Sequence, residues 1–219
     1  MSPGSRGRAP LLIVAGLVLV TVVGVAAFLA RPAPTVGAAA VTALASAAPA
    51  PSTPASTTAS SAEATAPAEE AAPARLRIPA LKLDATVAAV GVDAETGEFD
   101  VPPSVDRVGW YRFGPGMTAT AGSIVVAGHV DSADQGEGAF FRLSSLEPGD
   151  TVSLAGTGGA DREFTVVARE RYRKTRIPLD RYFARDGAPR LTLITCGGPF
   201  DAKTRHYRDN IVVTAEPAS

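Results

Sequence analysis

Residues 11–30, LLIVAGLVLVTVVGVAAFLA, run for twenty positions without a charge. As a helix rising 1.5 Å per residue, such a run covers roughly 30 Å, the depth of a bilayer hydrocarbon core. Arg6 and Arg8 precede it and Arg31 follows it. The greater positive density of the short N-terminal flank predicts that this end stays inside the cell. The next segment, 32–74, holds 18 Ala, 7 Pro and 11 Ser or Thr among 43 residues, and no aromatic. Such a stretch buries too little apolar surface to offset its chain entropy, so disorder is expected. The predicted organisation is a cytoplasmic N-terminus at 1–10, a transmembrane signal-anchor helix at 11–30, a disordered linker at 31–74 and a folded domain at 75–219. The domain is placed outside the cell, attached to a single-pass membrane helix. The rival reading is a cleaved signal peptide ending at ALA (43–45), before Ser46. Its apolar run exceeds the ~7–15 residues usual for such peptides. Either way the domain is exported.

Roughly 145 residues suffice for one hydrophobic core. Within 75–219, 18 basic residues face 19 acidic ones. That balance gives no field to recruit nucleic acid. With one cysteine, Cys196, the chain has neither an intramolecular disulfide nor a cysteine zinc cluster. The histidines are His129 and His206.

The folded part reads as all-β. RLRIP (75–79), ATVAAV (85–90), SIVVAGH (123–129), TVSLAG (151–156), REFTVVARE (162–170), RLTLITC (190–196) and NIVVTAE (210–216) are short runs rich in Val, Ile, Leu and Thr. Gly, Pro, Asp and Asn clusters separate them. Short helical turns are expected near 139–146 and 179–187. Seven or eight strands at this spacing predict a barrel or sandwich. Arg169, Arg171 and Arg173 alternate along one strand face. They are expected to form a solvated edge that discourages aggregation, with a wall for an anionic ligand as the alternative.

Two strands end on reactive side chains. RLTLITC delivers Cys196 to a strand terminus, and GGPF follows; SIVVAGH delivers His129 in the same way. An unpaired thiol outside the cell is oxidisable, which points to a reactive role rather than simple packing. An imidazole beside a thiol can take its proton or protonate a leaving amine, as acyl transfer requires. Arg208 opens the last strand, and pairing of RLTLITC with NIVVTA across an eleven-residue loop (197–207) is expected to set it near Cys196. A guanidinium, charged at any relevant pH, suits an oxyanion. His206 and Arg205 are assigned to the loop. A metal site from His129, Asp131, His206 and Cys196 matches no familiar spacing. There is no CGxC around the cysteine and no SHGC string.

The sequence TLITC at 192–196 resembles the TLxTC motif of the sortases. AGHVD at 127–131 is similar to the segment holding that family's histidine, and YRDNIVV at 207–213 to the segment holding its arginine. RIPALKLDATV from residue 77, GWY at 109–111 and FFRLSSLEPGD at 140–150 resemble further family segments. The short domain, single anchor and Ala/Pro-rich stalk look most like class E and F sortases of actinobacteria, class F in particular. The resemblance implies an eight-stranded sortase-type β-barrel with short helical turns. It implies a cysteine transpeptidase acting on surface proteins with an LPxTG-like C-terminal signal. The partners implied are those substrates and an amine acceptor on the cell wall or another protein. By motif, Cys196 is the nucleophile, His129 the acid/base and Arg208 the oxyanion or positioning group, while Thr195 shapes the site. The loop RYRKTRIPLDRYFARDGAP would flank the groove and read the signal. No cofactor is implied, and no acidic cluster matches the calcium site of some class A members. The alternatives are an exported cysteine hydrolase using the same residues and a non-catalytic, membrane-tethered binding module.

Overall fold

The computed structural model describes residues 35–47, 72–93, 95 and 99–218. The predicted segments at 1–10 and 11–30, and most of the predicted linker, lie outside them. No helix among the described residues is long and apolar enough to cross a membrane.

Eight strands close into a barrel. They are β1 (Pro73–Ile78), β2 (Leu83–Val90), β3 (Val108–Tyr111), β4 (Ser123–Gly128), β7 (Thr151–Gly156), β8 (Asp161–Arg173), β9 (Arg190–Asp201) and β10 (His206–Pro217). Their order around the wall is β1-β2-β3-β4-β9-β10-β8-β7. β5 (Asp131–Ser132) and β6 (Gly136–Glu137) pair as a small ribbon beyond β4. β2 and β3 run parallel, as do β4 and β9, while the other wall pairs are antiparallel. Alternation along each strand sends one set of side chains inward. Leu76, Ile78, Trp110, Ile124, Val126, Leu154, Phe164, Leu193 and Val213 meet there, and Phe140 and Leu146 cap the core from the connection between β4 and β7. Short 3-10 turns at Pro79–Leu81 and Leu143–Ser145, and a helix at Leu179–Tyr182, complete the domain. The helical turns near 139–146 and 179–187 are therefore present.

Three expectations are corrected. The linker is not disordered throughout, because Ala38–Ser46 forms a helix, α1, docked on the outside of β8. An isolated nine-residue helix is marginal, so its stability comes from packing. Val41, fully buried, packs with Ala168, Tyr182 and Val212. Val36 exchanges both backbone hydrogen bonds with Arg169, at 2.8 and 2.9 Å. Gly37 makes the approach possible: its φ is +77°, and a Cβ there would lie 2.1 Å from the Val167 carbonyl oxygen.

The arginine face is not a solvated edge throughout, because Arg169 is buried and Arg171 is held on a buried carboxylate, while Arg173 is exposed. β10 pairs with β8 along this stretch, β7 pairs only with 161–165, and Val36 takes the side opposite β10 at Arg169. Arg169 donates to the Leu146 carbonyl and to Glu147. Arg171 pairs with the buried carboxylate of Asp209, and Arg173 approaches it at 3.7 Å.

The loop expected at 197–207 is mostly strand. β9 runs on to Asp201 and β10 begins at His206, with Phe200 paired to Tyr207. Only 202–205 turns, and Arg205 there has a left-handed φ of 58°. His206 is therefore a strand residue, exposed and paired with Asp201.

Candidate active site

The parallel β4/β9 register pairs Ala127 with Ile194. Two residues further on in each chain come His129, just past the end of β4, and Cys196, still within β9. Thr195 fixes that register. It is buried, and its Oγ1 donates to the carbonyl of Gly128 at 2.8 Å. The residue before the cysteine thus ties itself to the residue before the histidine. On the other side, Cys196 is paired with Asn210 of β10, and Asn210 with Tyr172 of β8. Tyr172, Asn210 and Cys196 form one rung across three strands.

His129 is held from several directions. Its Nε2 lies 3.0 Å from the Pro102 carbonyl oxygen. A carbonyl only accepts, so Nε2 carries the proton and Nδ1 is left for exchange with a reacting group. The His129 carbonyl receives the Phe140 amide at 3.0 Å. Gly138 packs so closely there that a Cβ would lie 2.3 Å from that carbonyl oxygen. Cys196 is half-buried, with its thiol unpaired to any other sulfur.

Arg208 lies two residues before Asn210, within the irregularity that separates Tyr207 and Asp209 in the β9/β10 ladder. Its side chain is exposed, and Nη2 donates to Asp201 Oδ2 at 3.1 Å. That bond holds the Asp201 carboxyl below the usual carboxylate range. The structure therefore ties Thr195, beside Cys196, to Gly128, beside His129, and pairs the exposed Arg208 guanidinium with Asp201.

Two groups near the site escaped the sequence reading. Tyr207 donates its hydroxyl to Asp131 at 2.5 Å, across 76 residues of chain. This bond, then burial and the negative charges of Asp131 and Cys196, pushes the phenol up to about 12. The second is a network on the outer face of β8. Tyr172 and Tyr182 donate to the two oxygens of buried Glu170 at 2.8 and 2.7 Å, and their own oxygens are 2.9 Å apart. Burial is the largest cause that raises the Tyr182 phenol above its usual value. Tyr182 belongs to the connection 174–189, which this network pins beside the Cys196 rung. Farther along, Phe183 packs edge-on against Tyr111 at 5.2 Å. No pattern in the sequence announces either group, because register alone brings these residues together.

Among the described residues, no three His, Cys, Asp or Glu side chains gather as a metal site. The grouping of His129, Asp131, His206 and Cys196 is thus not assembled as one.

The closed eight-stranded barrel carries Cys196 on β9 and His129 just past the end of the neighbouring parallel strand β4. Residues 76–218, well over half of the chain, match the sequence model of the sortase domain, and the chain belongs to the sortase family. No curated protein matches the chain significantly. Solved structures resembling it include sortase C-1 from Actinomyces oris, at 19% identity and a TM-score of 0.51, over 66% of this chain and 73% of that one. Sortase A from Corynebacterium diphtheriae aligns at 18% and 0.51, over 69% and 62%. The pilus-related sortase C of Group B Streptococcus aligns at 13% and 0.51, over 68% of each chain. At these identities the likeness is one of fold.

Proposed function

We propose that this protein is a membrane-anchored sortase of class F, with its barrel outside the cell. It cleaves an LPxTG-like C-terminal signal of surface proteins and transfers the product to an amine on the cell wall or on another protein. The observation that carries this reading is the sortase domain at 76–218, and the Thr195–Gly128 bond, between the neighbours of Cys196 and His129, supports it. The low charge of the domain and the alanine-rich segment before it agree with a tethered extracellular enzyme.

The Cys196 thiol gives its proton to His129 Nδ1, and the thiolate attacks the Thr carbonyl carbon of the signal. The carbonyl electron pair moves to oxygen, and Arg208 leaves its exposed pairing with Asp201 to hold the oxyanion. As the tetrahedral centre collapses, the C–N bond breaks and His129 gives its Nδ1 proton to the departing amine. A thioester on Cys196 remains. The acceptor amine attacks it, His129 recovers a proton, and the thiolate leaves. Thr195 keeps nucleophile and acid in register throughout. The connection 174–189 borders the groove over which the signal lies.

The test is mass spectrometry of Cys196 after incubation with a panel of signal peptides. A thioacyl adduct on the wild type, absent from Cys196→Ala at an unchanged melting temperature, is expected. Substantial peptide cleavage by Cys196→Ala would overturn the reading. Product that forms at the same rate and composition with and without an amine acceptor would identify a hydrolase instead.

A further inference from the structure

Tyr207 and Asp131 belong to different parts of the barrel mouth. Tyr207 is on β10, opposite Phe200, and its ring meets the Phe200 ring edge-on at 5.2 Å. Asp131 opens the β5/β6 ribbon, two residues after His129. One hydrogen bond of 2.5 Å therefore joins the far end of the β9/β10 hairpin to the segment that carries the imidazole. The Cys196 thiol lies within electrostatic range of the same phenol. His129 is anchored on its other side by Pro102. Without the Tyr207 bond, no side-chain hydrogen bond described for 129–134 reaches β9 or β10.

We propose that Tyr207 is a positioning residue for transpeptidation, its hydroxyl latching Asp131 so that His129 is held at a fixed distance from the Cys196 thiol. The proposal rests on the reading of the chain as a cysteine transpeptidase. The latch has a steric part and an electrostatic part. It fixes the strand-end segment, and it places a donor on a carboxylate two residues from the imidazole, through a phenol that also senses the thiol. The phenol stays protonated to about 12, so the donor persists over the working range. Of the other charges at this end, Arg208 pairs with Asp201 and Asp209 with Arg171 and Arg173 from β8, while Glu137 lies opposite Asp131 in the ribbon.

Two variants of the full chain separate the parts. Tyr207→Phe keeps the ring on Phe200 and removes only the O–H. Asp131→Asn removes the carboxylate charge. Each is assayed for kcat and KM on a signal peptide with an amine acceptor. Each is also titrated for the rate of Cys196 alkylation by iodoacetamide against pH, which needs no substrate. A loosened catalytic group costs roughly 10–100-fold in rate. Tyr207→Phe is expected to lose that much in kcat with KM within about twofold. A bare carboxylate favours the protonated thiol, so its alkylation midpoint moves to higher pH. In Asp131→Asn the midpoint moves to lower pH. Unchanged kcat and midpoint in Tyr207→Phe, or a rise in KM alone, overturns the proposal. If the wild type gives no product with any peptide but the midpoints move as stated, the transpeptidase reading fails while the latch stands.

Discussion

The docked helix α1 can be undone by one residue. Val41 is fully buried against Ala168, Tyr182 and Val212, and it is the buried residue of α1. Burying a valine side chain stabilises by roughly 1.5–3 kcal/mol. Val41→Asp cannot keep its place, because an unpaired carboxylate there costs more than docking returns. The helix then leaves the barrel, and the loss is capped at the docking free energy. Taking that as about 2 kcal/mol, with a Tm change of about 2–4 °C per kcal/mol for a domain this size, Tm falls by roughly 4–8 °C. The consequence reaches the groove. The Ala188 amide donates to the Leu44 carbonyl at 2.9 Å, and the Arg181 guanidinium donates to the Ala38 carbonyl and to Thr42 Oγ1, both at 3.0 Å. Ala188 and Arg181 both belong to the connection 174–189, and undocking releases them. Hydrogen exchange resolved to single amides is the assay. Ala188 is expected to exchange at least ~10-fold faster in Val41→Asp, and KM for the signal peptide to rise. Val41→Ala keeps α1 in place and costs about half as much. Unchanged exchange at Ala188 together with an unchanged Tm would refute the claim that α1 braces the connection.

Further substitutions test the charges at the barrel mouth. Arg208→Lys keeps the charge but loses the planar fork of donors, and is expected to lose roughly 2–4 kcal/mol of transition-state stabilisation in turnover of a fluorogenic signal peptide. Arg205→Lys, in the exposed turn, is expected to be near neutral; a dead Arg205→Lys beside an active Arg208→Lys would reverse the assignment. Arg171→Leu leaves the buried Asp209 carboxylate with only Arg173 at 3.7 Å, so thermal melts are expected to show a loss of about 3 kcal/mol, with Asp209→Asn in the same chain restoring much of it. Equal stability of the single and double variants would show that the carboxylate is already well solvated.

The sequence announced strands where local chemistry and burial agree. SIVVAG is buried at every position in β4, and TVSLAG alternates in β7 as a one-sided strand does. Where long-range pairing decides the outcome, the same reading failed. GWY is too short to declare itself, yet it becomes β3 because β2 and β4 accept it on either side. His206 and Tyr207 look like loop by composition, and become strand because they pair with the extension of β9. The alanine run at 38–46 was grouped with a disordered stretch. Alanine is nonetheless the best helix former, and the barrel supplied the apolar surface that the segment lacked.

The candidate site divides along the same line. Cys196 and His129 are legible because each closes an apolar run followed closely by Gly or Asp, although β9 itself continues past Cys196 to Asp201. Thr195 was legible by motif, but its task was not. A threonine hydroxyl beside a nucleophile invites a direct role in the reaction. Instead it points into the barrel and grips the Gly128 carbonyl. Strand alternation accounts for this: adjacent residues face opposite sides, so a Thr immediately before an outward-facing Cys must face in. Its contribution is therefore to the spacing of β4 and β9 rather than to the substrate. Asp131 and Tyr207 reverse the case. Nothing local distinguishes either residue, and their meeting depends on the closure of the whole wall. A site assembled at the ends of four strands shows its reactive atoms in the sequence. The bonds that hold those atoms at working distance appear only once the registers are known.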